Sequence, residues 1–243
     1  MIIKRHYNNI KKQEAGIFSK MNHIWISNPE NNSVLGLENA TVLPNIPYDS
    51  HDQGFNLEDP SFEKLSIACV AAYKHQPNVE GVQWFIDNVW TGVNKYFSGA
   101  EFLIYGSNLS RTTAEKWKSV KGVKVIGFVE NVRDAYREAT ITVCPVQRGA
   151  GTNIKVLESG AHRRCCVLTE SASRGLSNDN EIMECVTVAL DPRKMIEQII
   201  SLLVNKQDTI EKSKKFQEVI LRKYSSQKFN TVISNTVKNI SQT

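Results

Sequence analysis

Residues 141–160, with the sequence ITVCPVQRGAGTNIKVLESG, carry the clearest structural signal of the chain. The apolar run Ile141–Pro145 predicts a buried strand, and the amphipathic run Thr152–Arg163 predicts a helix. Gly149 and Gly151 lie between them and predict a flexible loop, because glycine adopts backbone conformations that other residues avoid. A strand, a loop and a helix in this order are the repeating unit of a parallel α/β sheet.

The same alternation of short apolar runs and helix-length amphipathic runs extends from residue 64 to residue 205. The predicted strands are Leu65–Ala71, Glu101–Tyr105, Val123–Ile126, Ile141–Pro145, Cys165–Thr169 and Val186–Leu190. The predicted helices are Asn78–Tyr96, Thr112–Val120, Val132–Glu138, Thr152–Arg163 and Arg193–Val204. The pattern predicts an α/β fold, a Rossmann-like parallel sheet with helices on both faces. Ligands bind beyond the carboxyl ends of such strands, so we expect the site in the loops that follow them.

Three further segments surround this region. Residues 1–45 contain one helical stretch, Ile10–Lys20, and two short strand-like runs, which are too few elements for an independent core. Residues 46–63 are polar, with three Pro or Gly residues, and predict a linker. Residues 206–243 predict two C-terminal helices with a break at Tyr224. The expected domains are therefore 1–45, 46–63, 64–205 and 206–243.

Composition excludes several classes of protein. The 243 residues are 41% hydrophobic and 23% charged, which is typical of a globular protein and not of a disordered or fibrous one. No apolar run approaches the ~18 residues of a membrane span. The N-terminal residues lack the apolar segment of a secretory signal, so we expect a cytoplasmic location. The five cysteines are odd in number and lack metal-ligand spacing, which favours buried thiols and no metal site.

Positive charge is concentrated near the C-terminus. The net charge is +5, and residues 193–243 alone carry ten Lys or Arg residues against four acidic ones. Such a segment can contact anionic lipid headgroups, which would place the protein peripherally at the inner membrane face, or another polyanionic partner. The alternative is a solvated helix face, which the interleaved acidic residues favour. We expect no nucleic-acid partner.

The loop and helix start near residue 150 have the residue types that bind a diphosphate and a ribose. With Thr152 as the helix N-cap, free backbone N–H groups and the helix dipole favour a phosphate there. Thr152, Lys155 and Glu158 are spaced by three and lie near one helix face. Lys155 can pair with a phosphate, and Glu158 can accept hydrogen bonds from a vicinal diol. The alternative is an ordinary strand–turn–helix with exposed charges, and the stretch lacks the Walker A pattern.

Three motifs resemble one enzyme family. Gly149–Ala161, GAGTNIKVLESGA, resembles the donor-site motif of the GT-B glycosyltransferases of family 4, also called group 1, and within them a subgroup with a GaGT motif. Tyr73–Phe85 resembles the opening of the donor domain, and Val123–Tyr136 resembles a later segment of it. The resemblance covers residues 65–205 and implies one half of a GT-B enzyme. It also implies that residues 1–45 are a remnant of the acceptor-side domain.

The resemblance also implies roles for individual residues. Glu158 would hold the ribose of a nucleotide diphosphate sugar, the glycine loop would face the diphosphate and the sugar, and Phe128 and Val129 would line the base pocket. The expected donor-binding residues are Gly106, Ser107, Phe128, Val129, Gly149, Ala150, Gly151, Thr152, Asn153, Lys155 and Glu158. Lys155 and Glu158 are the expected catalytic residues. His75 and the loop of residues 171–177 are weaker candidates at the mouth of the same site.

Two departures from the family pattern matter. Many members carry a second Glu eight positions before the ribose-binding one, and that position is Ala150 here. The early Arg and Lys that hold the diphosphate in many members are also not recognisable. Lys74 lies near that region, but Lys155 is the better substitute because the helix places it beside the phosphate-binding amides.

Three functions remain open on these grounds. The first is a retaining glycosyltransferase, or its donor-binding part, that moves a sugar from a nucleotide diphosphate sugar to an acceptor glycan or a lipid-linked acceptor, without a metal or other cofactor. The second is a non-catalytic nucleotide-sugar-binding or interaction module. The third is a GT-B relative with other chemistry, such as a nucleotide-sugar epimerase. For the first two functions, an acceptor-domain partner or a homodimer would supply the missing half of the enzyme.

Overall fold

The computed structural model of the chain describes residues 10, 13–14, 16–28, 36–37, 39–47, 58–149 and 151–241. The chain divides into two compact units. The larger unit is Pro47–Ser225, and the smaller one combines Met1–Ile46 with Ser226–Thr243.

The strands are β1 (Ile24–Ile26), β2 (Ala40–Val42), β3 (Ser66–Val70), β4 (Glu101–Tyr105), β5 (Val123–Gly127), β6 (Ile141–Cys144), β7 (Cys166–Thr169) and β8 (Thr187–Ala189). The helices are α1 (Gln76–Phe85), α2 (Thr91–Tyr96), α3 (Arg111–Lys118), α4 (Val132–Arg137), α5 (Ile154–Ala161), α6 (Asn180–Cys185), α7 (Pro192–Val204), α8 (Lys206–Lys223) and α9 (Ser226–Ile240). A π-helical segment, Ile86–Trp90, joins α1 to α2, and a 3-10 turn, Glu170–Ser173, follows β7.

The larger unit is built on a six-stranded parallel sheet with the order β5-β4-β3-β6-β7-β8. The chain runs outward from β3 to β5 and then returns to place β6 beside β3, where Ile67 lies opposite Ile141. The strand order therefore reverses between β3 and β6. A crevice opens at the carboxyl ends of the strands at such a reversal. The predicted α/β fold is confirmed, and each predicted strand of this sheet is present with ends shifted by at most one residue.

The sheet is packed on both faces. Successive strand residues point to opposite sides, so one strand contributes to both cores. Phe102 and Ile104 pack under α1, α2 and α7, and the ring centroids of Phe85 and Phe102 lie 4.6 Å apart. Leu103 and Tyr105 on the same strand pack on the other side of the sheet. All five cysteines are buried free thiols, as their apolar surroundings predict.

The helix of the quoted stretch begins later than predicted. The sequence placed Thr152 at the N-cap and Arg163 at the end, whereas α5 runs from Ile154 to Ala161 with Asn153 at the N-cap. Gly151 has a left-handed φ of 84°, and the Asn153 side-chain amide donates a hydrogen bond to the Ala172 carbonyl at 3.0 Å. These two features keep residues 151–153 in a loop, so the prediction of Thr152 as the cap was wrong.

The C-terminal part of the sheet contains a helix that was not predicted. Helix α6 has six residues, so it is too short to show a helical period in the sequence. Its N-cap is Asp179, whose carboxylate accepts a hydrogen bond from the Ile182 N–H at 3.3 Å.

The smaller unit contains a two-stranded parallel sheet and a helix. Ile24 lies opposite Ala40 in the pair of β1 and β2, which confirms the two predicted strand-like runs. Helix α9 belongs to this unit, and the predicted break before it is confirmed at residues 224–225. Residues 13–14 and 16–18 of the predicted helix Ile10–Lys20 are helical. Residues 48–57 of the predicted linker lie outside the described residues.

Candidate functional site

A cleft of about 950 Å³ opens at the carboxyl ends of the strands, where the strand order reverses. The loops after β3, β4, β5 and β6 line it, together with the first two turns of α5. The predicted site residues that line it are Gly106, Ser107, Phe128, Val129, Gly149, Gly151, Thr152, Asn153, Lys155 and Glu158. Ala150 lies outside the described residues. His75 and Ser171, the weaker candidates, line the same cleft.

Backbone hydrogen bonds tie the strand ends together beneath the cleft. The Gly106 N–H donates to the Gly127 carbonyl at 2.7 Å, and the Ala71 N–H donates to the Tyr105 carbonyl at 3.0 Å. Gly106 has a φ of 138°, and a Cβ at this position would lie 1.7 Å from the Ala71 carbonyl oxygen. Glycine is therefore required at the end of β4 for the two strands to end side by side.

The glycine loop after β6 is held by two arginines. The Arg148 guanidinium makes two hydrogen bonds of 2.7 Å to the Glu80 carboxylate on α1. The Arg174 guanidinium donates to the Gly149 carbonyl from the loop after β7. Gly151 is left-handed, as described above, which turns the chain into the start of α5. The loop is thus fixed at its sides while Gly149 and Gly151 expose backbone to the cleft.

Lys155 is the second residue of α5, and its ammonium group is positioned by α1. Its Nζ donates a hydrogen bond to Oδ1 of Asn78 at 2.8 Å. The Asn78 amide group donates in turn to the Ala72 carbonyl at 2.8 Å. This pair of bonds places a cation beside the free N–H groups of the helix start. Both features attract an anion.

Glu158 lies one turn further along α5 and is half-buried in the cleft wall. Its Oε2 accepts a hydrogen bond from the Tyr136 hydroxyl at 2.8 Å. Burial raises the pKa of Glu158, while the Tyr136 hydrogen bond and the Lys155 charge act in the opposite direction. The site therefore has a cation at Lys155 and a hydrogen-bond acceptor at Glu158.

Helix α5 is tightly packed against β6 and α8. Ser159 donates to the Lys155 carbonyl at 2.8 Å and accepts a hydrogen bond from the Thr142 hydroxyl of β6 at 2.7 Å. A Cβ on Gly160 would lie 2.6 Å from Ile220 of α8, so the two helices are in close contact. Lys155 and Glu158 are consequently presented by a helix with little freedom to shift.

The sequence did not assign roles to three residues that shape the cleft. Asn78 and Tyr136 lie inside two of the quoted motifs, Tyr73–Phe85 and Val123–Tyr136, which was the available signal. Arg148 directly precedes the first glycine of the loop. Their functions depend on partners far away in the chain, such as Lys155, 77 positions from Asn78.

The described residues form neither a metal-binding cluster nor a membrane-spanning helix. Among residues that the structure describes, no group of three or more His, Cys, Asp or Glu side chains could hold a metal ion. No helix in the same residues combines the length and apolar character needed to cross a bilayer.

Comparison with solved structures shows where this fold occurs. S. aureus TarM, in a complex with fondaparinux, α-GlcNAc-glycerol and UDP, superposes with a TM-score of 0.74 at 17% identity, covering 93% of this chain and 46% of that one. Anabaena Alr3699/HepE in complex with UDP and glucose gives 0.72 at 11% identity, covering 89% and 63%. Sucrose-phosphate synthase from Thermosynechococcus elongatus gives 0.73 at 11% identity, covering 97% and 62%.

The chain thus spans about half to two thirds of the length of these structural relatives. A search of curated protein sequences found no match. The family model for glycosyl transferases group 1 matches residues 64–205, which is more than half of the chain and includes the whole cleft. The chain therefore belongs to the group 1 glycosyltransferase family and carries one half of the GT-B fold.

Proposed function

We propose that the cleft binds a nucleotide diphosphate sugar and that the chain is the donor-binding part of a retaining family 4 glycosyltransferase of the GaGT subgroup. One observation carries this proposal. Lys155 and Glu158 lie one turn apart on α5 and line the same cleft, directly behind a glycine loop. This arrangement provides a cation and then a carboxylate at the spacing of a diphosphate followed by a ribose.

The diphosphate would lie against the start of α5. Backbone N–H groups at the start of α5 supply neutral donors, and Lys155 supplies a charge. Arg148 is a second cation of the cleft, and it is exposed enough to leave Glu80 for a ligand phosphate. In a transfer reaction these groups would stabilise the negative charge that develops on the departing diphosphate, which is the main catalytic contribution expected of this half.

The nucleoside would extend from Glu158 towards the loop after β5. The carboxylate accepts hydrogen bonds from ribose hydroxyls, and Phe128 and Val129 would line the base pocket. Phe128 is 71% exposed although it is large and apolar, so its ring is accessible to a base. Aromatic rings stack on nucleobases irrespective of the base, so this contact would contribute affinity and not base selectivity.

The relatives support the nucleotide part of the proposal. The HepE and TarM structures contain UDP, and one HepE structure contains UDP-glucose. A uridine nucleotide is therefore the first donor to test. The acceptor, whether a glycan or a lipid-linked molecule, would be bound by an acceptor domain or by a second copy of the chain.

Ion pairs account for much of the C-terminal positive charge. On α8, Lys215 pairs with Glu184 at 2.8 Å, Arg222 pairs with Glu181, and Lys223 pairs with Asp179 at 2.6 Å. These pairs favour the solvated helix face over a polyanion-binding surface. We propose a cytoplasmic protein, peripheral at the inner membrane face where the acceptor is lipid-linked.

Calorimetric titration with UDP, GDP and ADP tests the proposal on the wild type, on Glu158→Ala and on Glu211→Ala. Glu211 is an exposed glutamate of α8 outside the cleft and serves as the matched control. We expect saturable binding of one nucleotide, a loss of about 10-fold or more in Glu158→Ala and no change in Glu211→Ala. Absence of binding by the folded protein, or equal binding by Glu158→Ala, would overturn the assignment.

Release of sugar from the matching nucleotide sugar separates the transferase from the binding module. If the chain is part of a transferase, we expect turnover of the nucleotide sugar when an acceptor half is supplied. The non-catalytic alternative predicts binding without turnover under the same conditions, and a nucleotide-sugar epimerase predicts a change in the sugar without its release. Product analysis of the same reaction mixture distinguishes these outcomes.

A further inference from the structure

One oxygen of the Glu158 carboxylate is already occupied in the structure. The Tyr136 hydroxyl donates to Oε2 at 2.8 Å from α4, 22 positions earlier in the chain. Within the part of the chain that the structure describes, Oε1 accepts no hydrogen bond. A carboxylate with one oxygen bound rotates less freely, and its unbound oxygen is the more available acceptor for a ligand.

We propose that Tyr136 is the positioning residue for ribose recognition, because its hydroxyl holds Oε2 of Glu158 and directs Oε1 to the ribose hydroxyls of the bound nucleotide. This inference rests on the proposed function of the cleft. Tyr136 itself does not contact the ligand in this account. It acts through Glu158, and its hydroxyl also lies 3.4 Å from the Lys155 carbonyl oxygen of the same helix.

The surroundings of Tyr136 suit a fixed support. Its side chain is fully buried, with 1% of its surface exposed. Its ring stacks on His162 of the α5 C-cap, with centroids 4.8 Å apart and planes at 16°. The Tyr136 ring thus packs on His162 at the C-terminal end of α5. Its hydroxyl donates to Glu158 in the middle of the same helix.

Buried Arg164 fixes the ends of both helices around this contact. Its guanidinium donates to the Arg137 carbonyl at the end of α4 at 3.2 Å, and to the Arg163 carbonyl after α5 at 2.9 Å. Arg137 directly follows Tyr136 in the chain. The guanidinium thus connects the C-terminal ends of the two helices that carry Tyr136 and Glu158.

The same contact controls the charge of Glu158. Lys155 of α5 and Tyr136 of α4 oppose the effect of burial on this carboxylate. The other titratable or charged groups around the pair are His162, with Arg133 and Arg164 near it, and the buried thiols of Cys69 on β3 and Cys166 on β7. Without the phenol hydroxyl only Lys155 would oppose burial. The carboxylate would then be protonated at a higher pH.

The test compares Tyr136→Phe with the wild type for two ligands, the nucleoside diphosphate that binds and its 2′,3′-dideoxy analogue. The ratio of the two affinities measures ribose recognition and cancels the titration of the phosphates. We expect Tyr136→Phe to lower this ratio by about 3- to 10-fold at neutral pH. Tyr105→Phe is the matched control, because the Tyr105 hydroxyl donates to Glu138 at 2.5 Å outside the cleft lining, and its ratio should equal that of the wild type.

A pH profile provides a readout that loss of packing would not change. On acidification from neutral pH, the midpoint at which the ratio falls should lie at a higher pH in Tyr136→Phe than in the wild type. In the Glu158→Ala background, Tyr136→Phe should have no further effect on the ratio. This double-mutant cycle shows that Tyr136 acts through Glu158.

Two results would overturn the inference while leaving the proposed function intact. One is an unchanged ratio and an unchanged pH midpoint in Tyr136→Phe. The other is an equal loss in the presence and in the absence of Glu158. Failure of the wild type to bind any nucleoside diphosphate would instead refute the proposed function itself. Thermal unfolding of each variant establishes that the protein compared is folded.

Discussion

The Asn78 side-chain oxygen lies 2.8 Å from Nζ of Lys155, which joins the first turn of α1 to the first turn of α5. The two residues are 77 positions apart and come from helices that follow β3 and β6, the strands at the reversal of the sheet. Asn78 is neutral, so it orients the ammonium group without cancelling its charge. Lys155 is therefore held in place and remains able to pair with an anion.

Removal of the Lys155 charge should weaken diphosphate binding selectively. We expect Lys155→Ala to lower the affinity for the nucleoside diphosphate by about 10-fold or more, because a charge-assisted hydrogen bond to phosphate is lost. The affinity for the corresponding nucleoside, which has no phosphate, should not change. Calorimetry on both ligands checks this, with Lys116→Ala, an exposed lysine of α3, as the control. An equal loss for nucleoside and diphosphate would contradict the phosphate contact.

Glu80 and the ligand should compete for Arg148. The Arg148–Glu80 ion pair is exposed at the cleft rim, where such pairs contribute little to stability. We expect Arg148→Ala to weaken nucleoside diphosphate binding and Glu80→Ala to strengthen it, each by a few-fold, and both variants to unfold at nearly the wild-type temperature. Titrations of both variants with the nucleoside diphosphate, at low and at high salt, measure these changes in affinity. Weaker binding in Glu80→Ala would show that the support the ion pair gives to the loop outweighs its competition with the ligand.

Substitution of Gly106 should disrupt the floor of the cleft. A Cβ there would meet the Ala71 carbonyl at 1.7 Å in a backbone conformation that other residues rarely adopt. We expect Gly106→Ala to lower the free energy of unfolding by more than ~3 kcal/mol, since both strain and a backbone clash result. Chemical denaturation measures this free energy of unfolding. Gly99→Ala is the control, because a Cβ at Gly99 has nothing within 4 Å. Similar stabilities for the two variants would contradict the close approach of the two strand ends.

Acidification should destabilise the fold through His162. Burial, with Arg164 and Arg133 nearby, lowers the pKa of His162 to about 4. An unfolded chain protonates this histidine near pH ~6.5, so it binds more protons than the folded protein between the two values. His162 should therefore contribute a decrease in the free energy of unfolding of up to ~1.4 kcal/mol per pH unit as the pH falls from ~6.5 towards 4.

The variant His162→Gln isolates this contribution from the carboxylates that titrate in the same range. The difference in unfolding free energy between wild type and variant, measured by denaturation at several pH values, should shrink or reverse on acidification. A difference that is constant with pH would show that His162 does not change protonation within this range.

The sheet was predictable because its strands are short apolar runs, and the four central strands are buried on both faces. Ser66–Val70 and Glu101–Tyr105 are read directly from such runs, whereas the strand order became known only from the structure. Helix α5 was placed two residues too early, since its start depends on the contact of Asn153 with Ala172 in another loop. Local sequence contains no information about that contact.

The candidate site was predictable to the level of residue type and position along the chain. Glycines, Lys155 and Glu158 in one segment, together with the family resemblance, predict a nucleotide site, and the structure places these residues along one cleft. The supports of these residues were not predictable, because Asn78 and Tyr136 act through hydrogen bonds to residues 77 and 22 positions away. A side chain that acts on a distant partner becomes recognisable only when the fold brings the two together.

A crystal structure of the chain with the nucleoside diphosphate that binds tests the central claim most directly. The account predicts ribose hydroxyls within hydrogen-bonding distance of Glu158 Oε1, with Tyr136 still bound to Oε2. It also predicts the diphosphate on the backbone N–H groups at the start of α5 and on Lys155. A nucleotide bound elsewhere, or one in this cleft with its ribose turned away from Glu158, would contradict the account.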